Sequence, residues 1–273
     1  VMVWIHGGAY VTGSGSEASY SGANLVQKQS DIVLVNINYR LNMYGFMDFS
    51  SVQGGEAFES ASCNGLLDQA MALRWVHENI AAFGGDPDNV TIFGQSAGGG
   101  SVSILPVMKE ANQYFQKVIA QSGSTTLAFP VDCEAAQGKT KALLEYTGCK
   151  TMDDIMALSE EELYEAYVNA VSKFTTCPYY GNEVLPEAPI ELYKKGYAKD
   201  ISIMAGSTAD EARLFMGEGP KLSLEEQKIF AQRRVGEALP CLKEEDKKYY
   251  EEFQKVCRFQ EPGLIETEFI SEI

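Results

Sequence analysis

Residues 93–101 read FGQSAGGGS, a serine with glycines two positions before and two after it. A serine hydroxyl becomes a nucleophile only with a base to take its proton, a carboxylate to orient that base, and donors for the oxyanion that forms. The preceding segment, 89–93 (NVTIF), has strand character, and the segment from Ala97 onward can be helical. Strand, sharp turn and helix together expose a serine at a helix N-terminus, where backbone amides favour negative charge. The serine backbone is strained in such a turn, so Gly94 and Gly98 must lack side chains to avoid neighbouring main chain. A second chemically suggestive stretch is HGGAY at 6–10, just after an apolar run. Small residues there let N–H groups approach a substrate and form an oxyanion hole together with the amide after the nucleophile. A third is GSTADE at 206–211, where Asp210 and Glu211 are both candidates for the orienting carboxylate. The base is harder to find. The chain has two histidines, His6 and His77. His6 precedes the glycine loop, and His77 sits mid-helix in RWVHENI, where a packed or solvated role is expected.

The elements that must hold these residues follow from the apolar pattern. Short, β-rich runs at 1–5, 31–37, 89–93, 117–120 and 201–205 are continuous rather than alternating, as in strands of a parallel sheet covered on both faces. Helical patterns fall between them at 22–29, 66–83 and from Ala97. Strand and helix in alternation predict an α/β sheet. From 133 to 171 the pattern is helical throughout, with a capping box beginning at Ser159 and apolar Leu163, Tyr167 and Val171 at helical spacing. This reads as a helical insertion. After Ala212 the chain is again helical and rich in Lys and Glu.

Composition narrows the function classes. The chain has 273 residues, 45% hydrophobic and 22% charged, enough for a large core with an accessory lobe. A net charge of -16 argues against a nucleic-acid partner, because phosphate neutralisation takes clustered Lys and Arg. No apolar run approaches the roughly 18 residues of a membrane span. Six scattered cysteines include no C-x-x-C pair, which argues against a metal site, and they fit free thiols in a reducing compartment rather than disulfides. That favours a cytoplasmic protein, with secretion as the alternative.

Several blocks in order are more specific than any one motif: VMVWIHGGAYVTGSGS, VLVNINYRLNMYGF, NGLLDQAMALRWVHENIAAFGGDPDNVTIFGQSAGGGSV, FQKVIAQSGS and IMAGSTADEARLF. Together, over about residues 1–216, they resemble the type B carboxylesterases, the α/β-hydrolases that include cholinesterases and p-nitrobenzyl esterases. The resemblance implies an α/β-hydrolase fold, with a mostly parallel central sheet, helices on both faces and a helical insertion. It also implies that N- and C-terminal parts of the fold lie outside these residues. The expected organisation is a core with oxyanion loop and nucleophile elbow at 1–132, and an insertion at 133–199. A core strand with acid loop follows at 200–216, then a helical segment at 217–273.

The implied activity is hydrolysis of a small carboxylic ester through an acyl-enzyme, with no metal or organic cofactor. Ser96 matches the nucleophile; Gly8, Ala9 and Ala97 match the oxyanion donors; Glu211 matches the triad acid. Ala212 stands where the family has glycine, which bears on loop geometry rather than on the carboxylate. Gln95 stands where many relatives have Glu, which disfavours cationic substrates. Ser122 matches a position that hydrogen-bonds the acid, and Asp68 and Asp86 match structural positions. The family's histidine follows its acid, and no histidine follows His77 here. The base is therefore expected outside this chain, in missing segments or a complementary chain that completes the sheet. The alternatives are a non-catalytic binding or adhesion module on the same fold, and a fragment inactive by itself.

Overall fold

The computed structural model describes residues 1–125 and 131–208 together with Glu251. Its elements are β1 (Met2–Ile5), α1 (Ala23–Lys28), β2 (Leu34–Ile37), α2 (Asn42–Gly45), α3 (Asn64–Asn79), β3 (Thr91–Gln95), α4 (Ala97–Ile104) and β4 (Lys117–Gln121), then β5 (Val131–Asp132), α5 (Cys133–Thr147), α6 (Met152–Met156), α7 (Glu160–Ala166), β6 (Tyr179–Tyr180), α8 (Pro189–Lys194) and β7 (Ser202–Gly206). All five strands expected from the apolar runs are present, in one sheet ordered β2-β1-β3-β4-β7. The pairs β1/β2, β1/β3 and β3/β4 are parallel, with Ile5 level with Ile37 and Gly94. Residues 1–205 make one compact unit, and Gly206–Ile273 a second, of which 206–208 and Glu251 are described. The expected helical segment at 217–273 thus lies almost wholly outside the described residues.

Parallel register sets which side chains share a face. Val3, Ile5, Ile37, Ile92, Val118 and Ala120 point one way and are buried. They join one core with Leu66, Ala70, Leu73 and Val76 of α3 and with Val102 and Ile104 of α4. The opposite face departs from the expectation of full cover on both sides. There Trp4 stacks at a tilt on Phe93 at 4.9 Å and on Tyr20 at 5.1 Å. These rings, with Leu25 and Leu34, line a shallow hollow beside α1. Trp4 is half-buried, and its Nε1–H finds no acceptor among the described residues.

The stretch 133–171, between β4 and β7, is helical, as its pattern predicts, and has a core of its own. Leu143, Ile155, Ala166, Ala170 and Val171 pack with Met43, Met47 and Val52. Two capping boxes start its short helices: Thr151 with Asp154 on α6, and Ser159 with Glu162 on α7. Their carboxylates accept backbone N–H bonds, which hold both below the ordinary carboxylate range. A π-turn at Tyr167–Val171 ends α7. The two-residue parallel pair β5/β6 is an addition that no periodicity announced. Cys63 and Cys177 are buried and Cys149 is partly buried.

One side chain in this region breaks its apparent pattern. Lys139 of α5 is buried, donating from Nζ to Phe46 O at 3.3 Å and lying 5.3 Å from the centre of the Tyr179 ring. No described carboxylate pairs with it. Burial pushes its ammonium down to about 8, against a smaller opposing pull from Cys177.

Candidate active site

The turn between β3 and α4 places Ser96 at φ 58° and ψ -124°, a conformation L-residues avoid. Main chain packed on both sides holds it there. A Cβ on Gly94 would lie 2.6 Å from Gly98 C and 2.7 Å from Ile5 O, and one on Gly98 would lie 2.9 Å from His6 O and closer still to Ile5 O. The two glycines flanking the serine therefore let α4 lie directly on the C-terminal end of β1. Gly99 and Gly123 do the same toward β4: a Cβ on Gly99 would meet Gln121 O at 2.6 Å, and one on Gly123 would meet Gly100 N at 2.6 Å. Ser96 N donates to Gln121 O at 2.9 Å, and Gly100 N donates to Ser96 O at 2.8 Å. The serine backbone is thus hydrogen-bonded on both sides while its side chain stays half-buried.

The glycine loop meets this turn at the end of β1. A Cβ on Gly7 would sit 3.2 Å from Ser96 Cβ and 2.6 Å from Gln95 O. Gly8, Ala9 and Tyr10 follow with φ of 115°, 54° and 59°. Such a run curls the chain tightly, and Gly8 O accepts from both Val11 N at 3.0 Å and Thr12 N at 3.1 Å. Among the described residues no acceptor takes the N–H of Gly8, Ala9 or Ala97. Three uncommitted donors around a serine are what an oxyanion needs. Gln95 is exposed beside the same loop. Ser122, just past β4, has a positive φ of 50° next to the Gly123 contact. Glu211 and its neighbour Asp210 lie outside the described residues; the strand that precedes them, β7, is in place beside β4.

Neither histidine is placed to serve Ser96. His6 is buried and stacked on Tyr39 at 4.5 Å between ring centres. Its Nδ1–H donates to Gly7 O at 2.8 Å, and Tyr39 OH donates to His6 O at 2.7 Å. This ring braces the loop. His77 lies on α3 against Tyr114 at 5.7 Å, with Nδ1 buried and without a partner among the described residues. The two aspartates are structural, as expected. Asp68 receives Arg40 Nε and Nη2, both at 2.8 Å, plus Arg40 N at 2.9 Å, which raises the guanidinium pKa. Asp86 Oδ1 accepts from Asp88 N at 2.9 Å in the turn before β3.

Residue patterns alone did not single out Tyr10, Ser101 and Gln69. Ser101 Oγ donates to Tyr10 OH at 3.2 Å and accepts from Gln69 Nε2 at 3.0 Å. All three side chains are fully buried, and burial raises the Tyr10 phenol, which stays neutral. The available signal was slight, Ser101 being one of two serines that alternate with Val102 and Ile104 in the second turn of α4. Among the described residues no cluster of His, Cys, Asp and Glu could hold a metal ion, and no helix is long and apolar enough to cross a membrane.

A model of the carboxylesterase family matches residues 1–261. The chain is 41% identical over 225 residues to a para-nitrobenzyl esterase of Bacillus subtilis, covering 79% of this chain and 44% of that protein. It is 32% identical over 252 residues to a cholinesterase of Mus musculus, covering 88% and 41%. Among solved structures, a carboxylesterase of Geobacillus stearothermophilus aligns with a TM-score of 0.81 at 38% identity, over 97% of this chain and 54% of that one. The sheet and its helices are those of the expected α/β-hydrolase fold. The chain spans about half the length of these relatives or less.

Proposed function

The chain belongs to the carboxylesterase family, and we propose that it carries the nucleophile, oxyanion donors and orienting acid of a serine carboxylic-ester hydrolase. Ser96 Oγ attacks the ester carbonyl as an imidazole takes its proton. The tetrahedral oxyanion is received by the N–H groups of Gly8, Ala9 and Ala97. The imidazolium then protonates the departing alcohol, leaving an acyl group on Ser96. Water, activated by the same base, repeats the sequence and frees the acid. Glu211 orients the base and stabilises its cation, and Ser122 holds Glu211. The base comes from outside these 273 residues, on further segments or on a complementary chain that completes the sheet. Gln95, uncharged beside the oxyanion loop, suits a neutral ester over a cationic one. Residues 133–199 form an insertion that shapes the acyl or alcohol pocket.

The observation that carries this reading is the wedge of main chain around Ser96. Positive φ at the serine, amid contacts at Gly7, Gly94 and Gly98 that no side chain could share, is backbone strain of the kind that gathers at active sites. The test is labelling with a fluorophosphonate. One label per chain, lost in Ser96→Ala, is the expected result, with hydrolysis of a p-nitrophenyl ester lost in the same variant. A full-length polypeptide that takes no label would overturn the reading and leave a binding module on this fold.

A further inference from the structure

Three residues far apart in sequence meet behind the oxyanion loop. Tyr10 ends the run of positive φ that begins at Gly8, and two residues of that run, Ala9 and Tyr10, are not glycine. Left-handed backbone at such residues persists only where the surroundings over-determine it. Here the anchor is the Tyr10 side chain. Its ring is fully buried, tilted on Phe46 at 4.8 Å and edge-on to Tyr39 at 6.4 Å. Its carbonyl accepts from Asn42 N at 2.7 Å. Its hydroxyl accepts from Ser101, which lies on the same helix that starts directly after Ser96. Gln69 of α3 in turn donates to Ser101.

We propose that the Tyr10–Ser101–Gln69 hydrogen-bond chain is a positioning device that fixes the Gly8 and Ala9 N–H groups relative to Ser96. The proposal rests on the esterase reading above and names how its oxyanion hole is held. The apolar contacts of Tyr10 confine the ring, but they are non-directional. The bond to Ser101 ties the loop to the element that carries the nucleophile, so donors and nucleophile keep one frame. Gln69 fixes the Ser101 hydroxyl so that its proton points at Tyr10. Its own Oε1 finds no partner among the described residues, so the amide is spent on Ser101 alone. None of the three touches substrate. Their effect is felt where charge develops, and an error on the order of 1 Å there costs about a hundred-fold in rate.

The test compares Tyr10→Phe, Ser101→Ala and the double variant in the full polypeptide, with active sites counted by fluorophosphonate titration. Each single variant is expected to lose roughly ten- to a hundred-fold in kcat per titrated site, with KM nearly unchanged. Affinity for a trifluoromethyl ketone, which adds to Ser96 as a tetrahedral oxyanion, falls in step. The double variant is no worse than the poorer single, because both break one link. A purely structural role would lower the melting temperature or the number of titratable sites and leave kcat per site alone. Unchanged kcat per site in both singles, or fully additive losses in the double, would overturn the proposal while the esterase reading stands. Turnover surviving in Ser96→Ala would instead overturn that reading, and this proposal with it.

Discussion

The turn that carries Ser96, the proposed elbow, and the helical stretch 133–171, the proposed insertion, solve the same problem, fixing the start of a helix, by opposite means. At the elbow α4 begins with no side-chain cap at all, on a serine in a strained conformation, wedged by main chain against β1 and β4. In the insertion α6 and α7 begin with complete capping boxes, in which Thr151 and Ser159 satisfy the free amides. The elbow leaves its first amide uncommitted, and that amide is what the proposed chemistry uses. The starts of α6 and α7 have no such need, and both obey the local capping rules. Strain and uncommitted backbone amides thus gather at Ser96, whereas ordinary helix chemistry starts α6 and α7.

Substitutions that break the contrast most come from the elbow. Gly98→Ala forces a methyl group onto Ile5 O and should cost about 3 kcal/mol or more, because the opposing atoms are backbone. A large fall in thermal midpoint together with loss of fluorophosphonate labelling is expected; a variant of near wild-type stability would show that the main-chain wedge is loose.

Next in size is Lys139, the place where the insertion breaks its own rule. Its ammonium titrates near 8 when folded, below the ordinary lysine value when unfolded. Between these values the unfolded chain binds more protons, so stability rises with pH from about 8 toward 10.5, as the buried amine neutralises. Lys139→Met should remove this dependence and add roughly 2–3 kcal/mol near neutral pH. Denaturant titrations at several pH values check it, and a pH-independent wild type would contradict it.

Ser96→Gly should stabilise by about 1 kcal/mol while abolishing labelling, since glycine adopts positive φ without the serine's penalty. Ser96→Ala, which keeps a Cβ, should abolish labelling without that gain, so the pair separates strain from chemistry. The smallest effect is Ser159→Ala, about 1 kcal/mol, read as faster amide exchange confined to residues 160–166 with labelling intact. Acidification should loosen the same turn once Glu162, held below the ordinary range by its bonds to Ser159, takes up a proton.

The amino-acid pattern announced the elbow because its constraint is steric and local: a strand, a serine and glycines at fixed offsets. It announced the five sheet strands because their apolar runs are continuous, a pattern that holds even for β7, which is exposed along its length. Lys139 escaped notice because a lysine on an amphipathic helix reads as surface, and only the approach of Phe46 and Tyr179 buries it. Tyr10 and Ser101 are 91 positions apart, a contact no local periodicity encodes. The β5/β6 pair is two residues long, too short for any alternation to register. Asp154 completes a capping box with an aspartate, where glutamate or glutamine is the usual signal.

The contacts at Gly7, Gly94 and Gly98 also bear on how such a chain can change over generations. Where side chains meet, a slightly larger or smaller one offers a graded path from one specificity to another. Where peptide groups meet with nothing between them, each position is either glycine or a clash, and no intermediate exists. Libraries aimed at new ester preferences would gain little at these three positions. Gln95, exposed beside the same turn, has no such restriction and is open to gradual change.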